Sequence, residues 1–206
     1  VNSLGNDTYS TFSFQLQNNI LYKGKASIDR GEFNFSFIVP KDISYNLGFG
    51  KLSYYATIDD DDDAHGYYRN IIIGGSSDSV VNDELGPEIQ LYINNDDFVF
   101  GGVTDENPKL LAYVSDSSGI NTVGNGIGHD ITSILDDNTL KTYILNEYYE
   151  ADLDSYQSGK VVYNYSELEE GQHKLKFKVW DVHNNSSEDY IEFIVAESSE
   201  LVLEHI

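Results

Sequence analysis

In "NGIGHDIT", Asn125 to Thr132, a histidine stands beside an aspartate among glycines. A hydrolytic site would need the His129 imidazole held against a nucleophile and oriented by a third group, for which Asp130 is the nearest carboxylate. Neighbours on a strand face opposite sides, so Asp130 is placed to orient His129 only if the pair lies in a turn. No serine sits in a G-x-S-x-G elbow. The glycines at 124, 126 and 128 permit backbone angles that other residues avoid. These residue types favour a loop that leads into a strand, with Asp130 bonded to nearby amides.

The other chemistry-bearing stretch is "IDDDDDAHGYY". Hard oxygen ligands crowded on a short loop are what calcium selects, so Asp59, Asp60, Asp61, Asp62 and Asp63, with His65 beside them, form one candidate calcium loop. The spacing of an EF-hand is absent, and five consecutive carboxylates repel one another, which favours a solvated hairpin end. Asp152 and Asp154 are a smaller candidate of the same kind. Zinc is disfavoured: His65, His129, His173, His183 and His205 are scattered, with no H-E-x-x-H motif and no cysteine. The expectation is no cofactor, no metal ligand set and no catalytic residue within this chain. The triplets "NDT", "NFS", "NYS" and "NNSS" match glycosylation acceptors, but a chain rich in Asn and Ser produces them by chance.

Composition narrows the partners. Twelve Lys and Arg against 35 Asp and Glu give a net charge of −23, which repels phosphate backbones and anionic lipid. Nucleic acid and direct membrane insertion are therefore not expected. The densest basic group, Lys174, Lys176 and Lys178, alternates with apolar residues and reads as the wet face of a strand. Cysteine is absent, which excludes disulfides and thiolate chemistry within the chain. The chain opens at Val1 without a basic-then-apolar leader, so an excised piece is expected, with any export signal outside it.

The elements that must position these residues are strands. Aromatic and β-branched residues recur at period two, and no long apolar stripe has helical spacing. In "GEFNFSFIVP", Phe33, Phe35, Phe37 and Val39 share a face until Pro40 removes a donor. "KLSYYATI" repeats the design with Leu52, Tyr54, Ala56 and Ile58, and "STFSFQLQ", "NILYKGKASI" and "YYRNIIIGG" supply three more strands. Later candidates are "EIQLYI", "KLLAYV", "KTYIL", "KVVYNY", "QHKLKFKVWDV" and "EDYIEFIV". A short helix is expected only in "ILNEYYEADLDSYQSG", from the spacing of Glu147, Glu150 and Asp154. Leu175, Phe177 and Val179 should face inward, with Trp180 on the opposite face against a neighbouring domain or an edge. Asn184 and Asn185 should close a hairpin, since Asn tolerates left-handed angles.

The fold class expected is all-β, with antiparallel immunoglobulin-like sandwiches, two in tandem. The boundaries read as a first module over 1–75, a linker over 76–86, an immunoglobulin-like module over 87–197 and a tail over 198–206.

The blocks "GPEIQLYINNDDFVFGGVTDENPKLLAYVSDSSGINTVGNGIGHDIT", "LNEYYEADLDSYQSGKVVY" and "GQHKLKFKVWDVHNNSSEDYIEF" resemble the C-terminal, non-peptidase region of the type IX secretion system sortases. These are gingipain-like cysteine peptidases of Bacteroidetes. "NILYKGKASIDRGEFNFSFIVPKDISYNLGFGKLSYYA" is similar to the segment that precedes that region, so the resemblance runs from Phe12 to Val195. It implies a caspase-like domain with a Cys and His pair upstream of this chain. With no cysteine present, no family catalytic residue carries over, and His129 in "GIGHD" does not match the family's histidine block.

The resemblance further implies a parent protein at the extracellular face of the outer membrane of a Gram-negative bacterium. There it would remove the C-terminal signal domain from secreted cargo and pass the cargo to a lipopolysaccharide anchor. Partners would be the chain's own upstream peptidase domain, other secretion-system subunits and cargo. The first module would begin before Val1.

Three functional readings follow. The first is a non-catalytic scaffold or interaction region of such a sortase. The second is a cell-surface adhesion or glycan-binding module in which tyrosines and Trp180 stack on sugars and an acidic loop holds calcium. The third is a hydrolase using His129 and Asp130.

Overall fold

The computed structural model describes residues 11, 20–41, 43, 47–58, 62–75, 82–123 and 128–196. Period-two alternation gives strands throughout: β1 (Gly48–Ile58), β2 (Asp62–Ile73), β3 (Glu88–Ile93), β4 (Val103–Thr104), β5 (Lys109–Ser115), β6 (Thr132–Leu135), β7 (Thr142–Ile144), β8 (Tyr149–Ala151), β9 (Ser158–Asn164), β10 (Gly171–Trp180) and β11 (Ser186–Val195). The fold is nearly all-β. The chain divides into two units, one of residues 1–19 with 44–80 and one of residues 20–43 with 81–206.

In the first unit β1 and β2 pair antiparallel from Gly48 opposite Ile73 to Ile58 opposite Asp62, with a bulge between Gly50 and Leu52. Of the expected face of β1, Leu52 and Ala56 are half-buried while Tyr54 and Ile58 are exposed. Tyr54 lies opposite Gly66, so close that a Cβ there would come within 2.5 Å of the phenol. The missing side chain lets the ring cover the partner strand's backbone.

In the second unit two sheets stack. One has the order β4-β11-β10-β6-β7 and the other β3-β5-β9-β8, all antiparallel except the β4 and β11 pair. Leu110, Ala112 and Val114 of β5 face Leu175, Phe177 and Val179 of β10 and Ile191, Phe193 and Val195 of β11 in one buried core. The alternate residues of each strand point away, as the pleat requires. This is the sandwich that the spacing of strands predicts. Buried inside it, Ser133 Oγ and Tyr165 Oη share a 2.6 Å hydrogen bond that satisfies both hydroxyls.

Residues 20–41 pack with this second unit through isolated contacts. Arg30 and Gly31 both take positive φ, 52° and 85°, in a tight turn closed by two bonds between Asp29 and Glu32. Lys25 bridges Leu153 beyond β8 and pairs with Glu150 at 2.8 Å, and the Ser27 amide donates to Asp154 Oδ1 at 2.7 Å. Among these residues no strand forms, contrary to the expectation for "NILYKGKASI" and "GEFNFSFIVP". Single bridges and side-chain bonds replace the ladder, although the period-two face survives as near-parallel rings of Phe33, Phe35 and Phe37. "STFSFQLQ" lies outside the described residues apart from Thr11, as do residues 76–81 of the expected linker and the tail 198–206.

Two further differences concern the edges. The stretch expected as a helix forms a single 3-10 turn, Asn146–Tyr148, and then β8. Tyr149 and Ala151 are buried on one face of the strand and Glu150 between them is exposed on the other, so tertiary burial at period two overrides the helical spacing of the acids. β4, β6 and β8, at two to four residues each, are too short to show a period in sequence.

Phe177 is fully buried at the centre of β10. Phe177→Ala should lower the stability of the second unit by about 3–5 kcal/mol in urea denaturation, from lost transfer energy plus the cavity. Tyr149 Oη is buried with no hydrogen-bond partner among the described residues. Tyr149→Phe should therefore leave stability unchanged or raise it, by roughly 1 kcal/mol, a gain set by the desolvation cost of the unpaired hydroxyl; a loss would show that the hydroxyl is bonded.

Candidate functional site

Asp181 follows β10 directly and is wholly buried. Its Oδ1 accepts from the amides of His183 at 2.9 Å and Asn185 at 2.7 Å, and its Oδ2 from Asn185 Nδ2 at 2.7 Å. Asn184, at φ 72°, takes the left-handed turn position that "DVHNNSS" predicts. The carboxylate thus closes the β10–β11 hairpin by supplying acceptors for amides that the ladder has abandoned.

Two more aspartates converge on it. Asp116, just past β5, accepts at Oδ1 from the amides of Ser118 at 2.7 Å and Gly119 at 3.1 Å. Asp83, before β3, accepts from the Leu85 amide at 3.1 Å and from Ser118 Oγ. Oxygens of the three side chains lie within 4.8 Å of one another. Asn185 Nδ2 also donates to the Asp83 carbonyl at 3.0 Å, the Val182 amide donates to Gly119 O at 3.0 Å, and the Asn121 amide donates to Trp180 O at 2.9 Å. One carboxylate cluster therefore ties together the strand-entry segment, the β5–β6 connection and the β10–β11 hairpin.

The electrostatics of the junction are split. Burial pushes the Asp116 carboxyl above its ordinary range; the Ser118 and Gly119 amides oppose that, and the charges of Asp181 and Asp83 add to it. The Ser118 hydroxyl holds Asp83 below its ordinary range, helped by the Leu85 amide and by the nearby Lys41 ammonium. Oxygen donors at this spacing suit a hard divalent cation. They suit equally the amide and hydroxyl donors that already engage each of them.

The residues singled out in the sequence fall elsewhere. His129 packs its ring against Trp180, centroids 4.3 Å apart, and Lys178 lies 4.6 Å over the same indole. Trp180 thus covers the loop that enters β6, the loop expected from "NGIGHDIT", of which residues 124–127 lie outside the described residues. Burial raises the Asp130 carboxyl, with His129 opposing. Asp59, Asp60 and Asp61 lie outside the described residues; Asp62 and Asp63 begin β2, where Tyr55 Oη donates to Asp63 at 3.0 Å. Asp154 is held by the Ser27 amide, which lowers its carboxyl below the ordinary range. His65 sits on β2, and His173 and His183 stand at opposite ends of β10, so the described histidines form no ligand set.

Sequence reading missed the three-aspartate junction. "DSSG" at 116–119 carries the signature of a side-chain-capped turn. Its meeting with Asp83 and Asp181 is a matter of topology.

Comparison with known proteins adds one decisive similarity. The crystal structure of dimeric latent PorU from Porphyromonas gingivalis is 34% identical over 82% of this chain, with a TM-score of 0.56. The chain is related to a region of PorU. It spans 16% of the PorU chain that it matches. An endo-beta-1,4-mannanase from Thermotoga petrophila aligns over 54% of this chain and 20% of its own at 12% identity and a TM-score of 0.35, too low to bear on fold or function. No family model and no curated protein matches.

The junction makes two predictions. Asp181→Ala strands the amides of His183 and Asn185 and should destabilise the second unit by roughly 1–3 kcal/mol. For Asp116, a folded-state pKa above the unfolded one means that the native state holds the extra proton, so its contribution falls as pH rises from the ordinary Asp value through the raised one. Asp116→Asn keeps the Oδ1 acceptor and removes the charge. It should be more stable than the wild type at pH 7, with the difference vanishing below about pH 4, as read by urea denaturation at both pH values.

Proposed function

We propose that this chain is a non-catalytic β-sandwich region of a gingipain-like sortase of the type IX secretion system, built as two tandem modules that position an upstream cysteine peptidase domain or engage its cargo. The observation that carries this reading is the 34% identity to PorU across 82% of the chain. The sortase-like blocks in the sequence agree with it, and a chain without cysteine fits a region that supplies no thiol nucleophile. On this reading the chain works by surface complementarity at the cell surface, and the aspartate junction serves to fix the loops at one end of the sandwich.

The test is made in the parent gene. Its reading frame should encode a caspase-like domain upstream. Excising residues 82–196 should abolish removal of C-terminal signal domains from secreted cargo while the peptidase still cleaves a small peptide. A frame without that domain, or cargo processing unaffected by the excision, rejects the proposal.

A second reading, as a glycan-binding surface module, draws on the half-exposed row of Phe33, Phe35 and Phe37. These rings lie nearly parallel at 6.2–6.3 Å spacing, with Tyr22 stacked at 4.6 Å on Phe37. Flat apolar faces of this kind stack on sugar rings. Phe35→Ala should then abolish binding on a glycan array; an array blank for the wild type rejects this reading.

A further inference from the structure

At the end of β10 remote from the aspartates, His173 joins two turns. Its side chain is only 9% exposed, and its ring stacks on Phe193, directly opposite in register, at 5.6 Å and 25°. Nδ1 lies 3.0 Å from Asp136 Oδ2, in the turn after β6. Nε2 lies 2.7 Å from the main-chain oxygen of Glu169, in the turn before β10.

Both partners are acceptors. A carbonyl oxygen never donates, and an ionised carboxylate accepts only, whereas a neutral imidazole carries a single N–H. Asp136 is committed further: its Oδ1 accepts from the Lys174 amide at 3.0 Å, and its own amide donates to Lys174 O at 2.7 Å. The two contacts of His173 are filled together only when the His173 and Asp136 pair holds one proton more than a neutral ring and a carboxylate.

The turns themselves are strained. Asp136 and Asp137 take φ of 56° and 54° in succession, and Glu167 takes 55°, left-handed positions that non-glycine residues rarely hold without support.

We propose that His173 is a proton-operated clasp, which docks the β6 turn and the turn before β10 on each other when protonated and releases one of them when neutral. The charged groups around it are Asp136 and Asp137 from the β6 turn, Glu169 and Glu170 from the other turn, Lys174 and Lys176 on β10, and Glu192 on β11. Asp137 is occupied by Lys176 at 2.6 Å and Lys174 at 3.6 Å, which leaves Asp136 as the carboxylate on the ring. Because both facing atoms accept, the two contacts hold together while the pair carries its extra proton, and one of them is given up when that proton leaves. Release would loosen the β6 turn and the exposed Leu140 that follows it.

Two measurements on the whole chain test this. In the wild type, long-range proton–nitrogen spectra of the His173 ring, followed from about pH 5 to 8 where histidine ordinarily titrates, should show two ring protons at the acid end. Loss of one should coincide with movement of the Asp136, Glu170 and Lys174 amide signals. In thermal unfolding over the same range, the wild-type midpoint should fall by about 2–4 °C more than that of His173→Gln. A ring that loses its second proton while those amides stay fixed overturns the clasp, and so does an identical pH dependence in a folded His173→Gln variant.

Discussion

The inward face of β10 is the constraint on which the second unit rests. Leu175, Phe177 and Val179 are fully buried, and β10 pairs with β11 on one side and β6 on the other. Removing that apolar area from water sets the register, because a slip by one residue would turn Lys174, Lys176 and Lys178 into the core. The same strand also delivers the polar devices. It begins near His173 and runs directly into Asp181, so a single buried seam fixes a hydrogen-bonded group at each end of the sandwich.

Those ends are handled differently. At the aspartate junction three acids are held together although their charges repel, each engaged by amide or hydroxyl donors from its own or a neighbouring loop. Burial of such groups is costly unless they are hydrogen-bonded, so their arrangement specifies loop geometry more than it adds stability. At the opposite end the acids are matched by Lys174, Lys176 and His173. A chain of net charge −23 places three of its twelve basic residues on this one strand. They serve the sheet's own turns and an aromatic surface, with Lys174 over Tyr190 and Lys178 over Trp180.

The relation to PorU gives these features a setting. The chain matches a region that makes up 16% of the PorU chain. Carboxylates engage the loops at one end of its sandwich, and the His173 ring lies between two turns at the other. In the proposed sortase, this sandwich would hold a peptidase domain or cargo in a fixed orientation.

Alternation and turn chemistry by themselves determined the all-β class, the inward residues of β10, the Asn184 hairpin and the loop before β6, because side-chain period and left-handed propensity are local properties of the chain. The resemblance to secretion-system sortases was also legible, in blocks long enough to carry it. Only the tertiary structure decided that "ILNEYYEADL" folds into a 3-10 turn and a strand, since burial of Tyr149 and Ala151 depends on a facing sheet that the segment does not contain. It alone brought Asp83, Asp116 and Asp181 together, and it alone set Asp136 and Glu169 against the two nitrogens of His173. These residues are far apart in sequence, and hydrogen-bond geometry across strands is fixed by which strands pair, which no local spacing encodes.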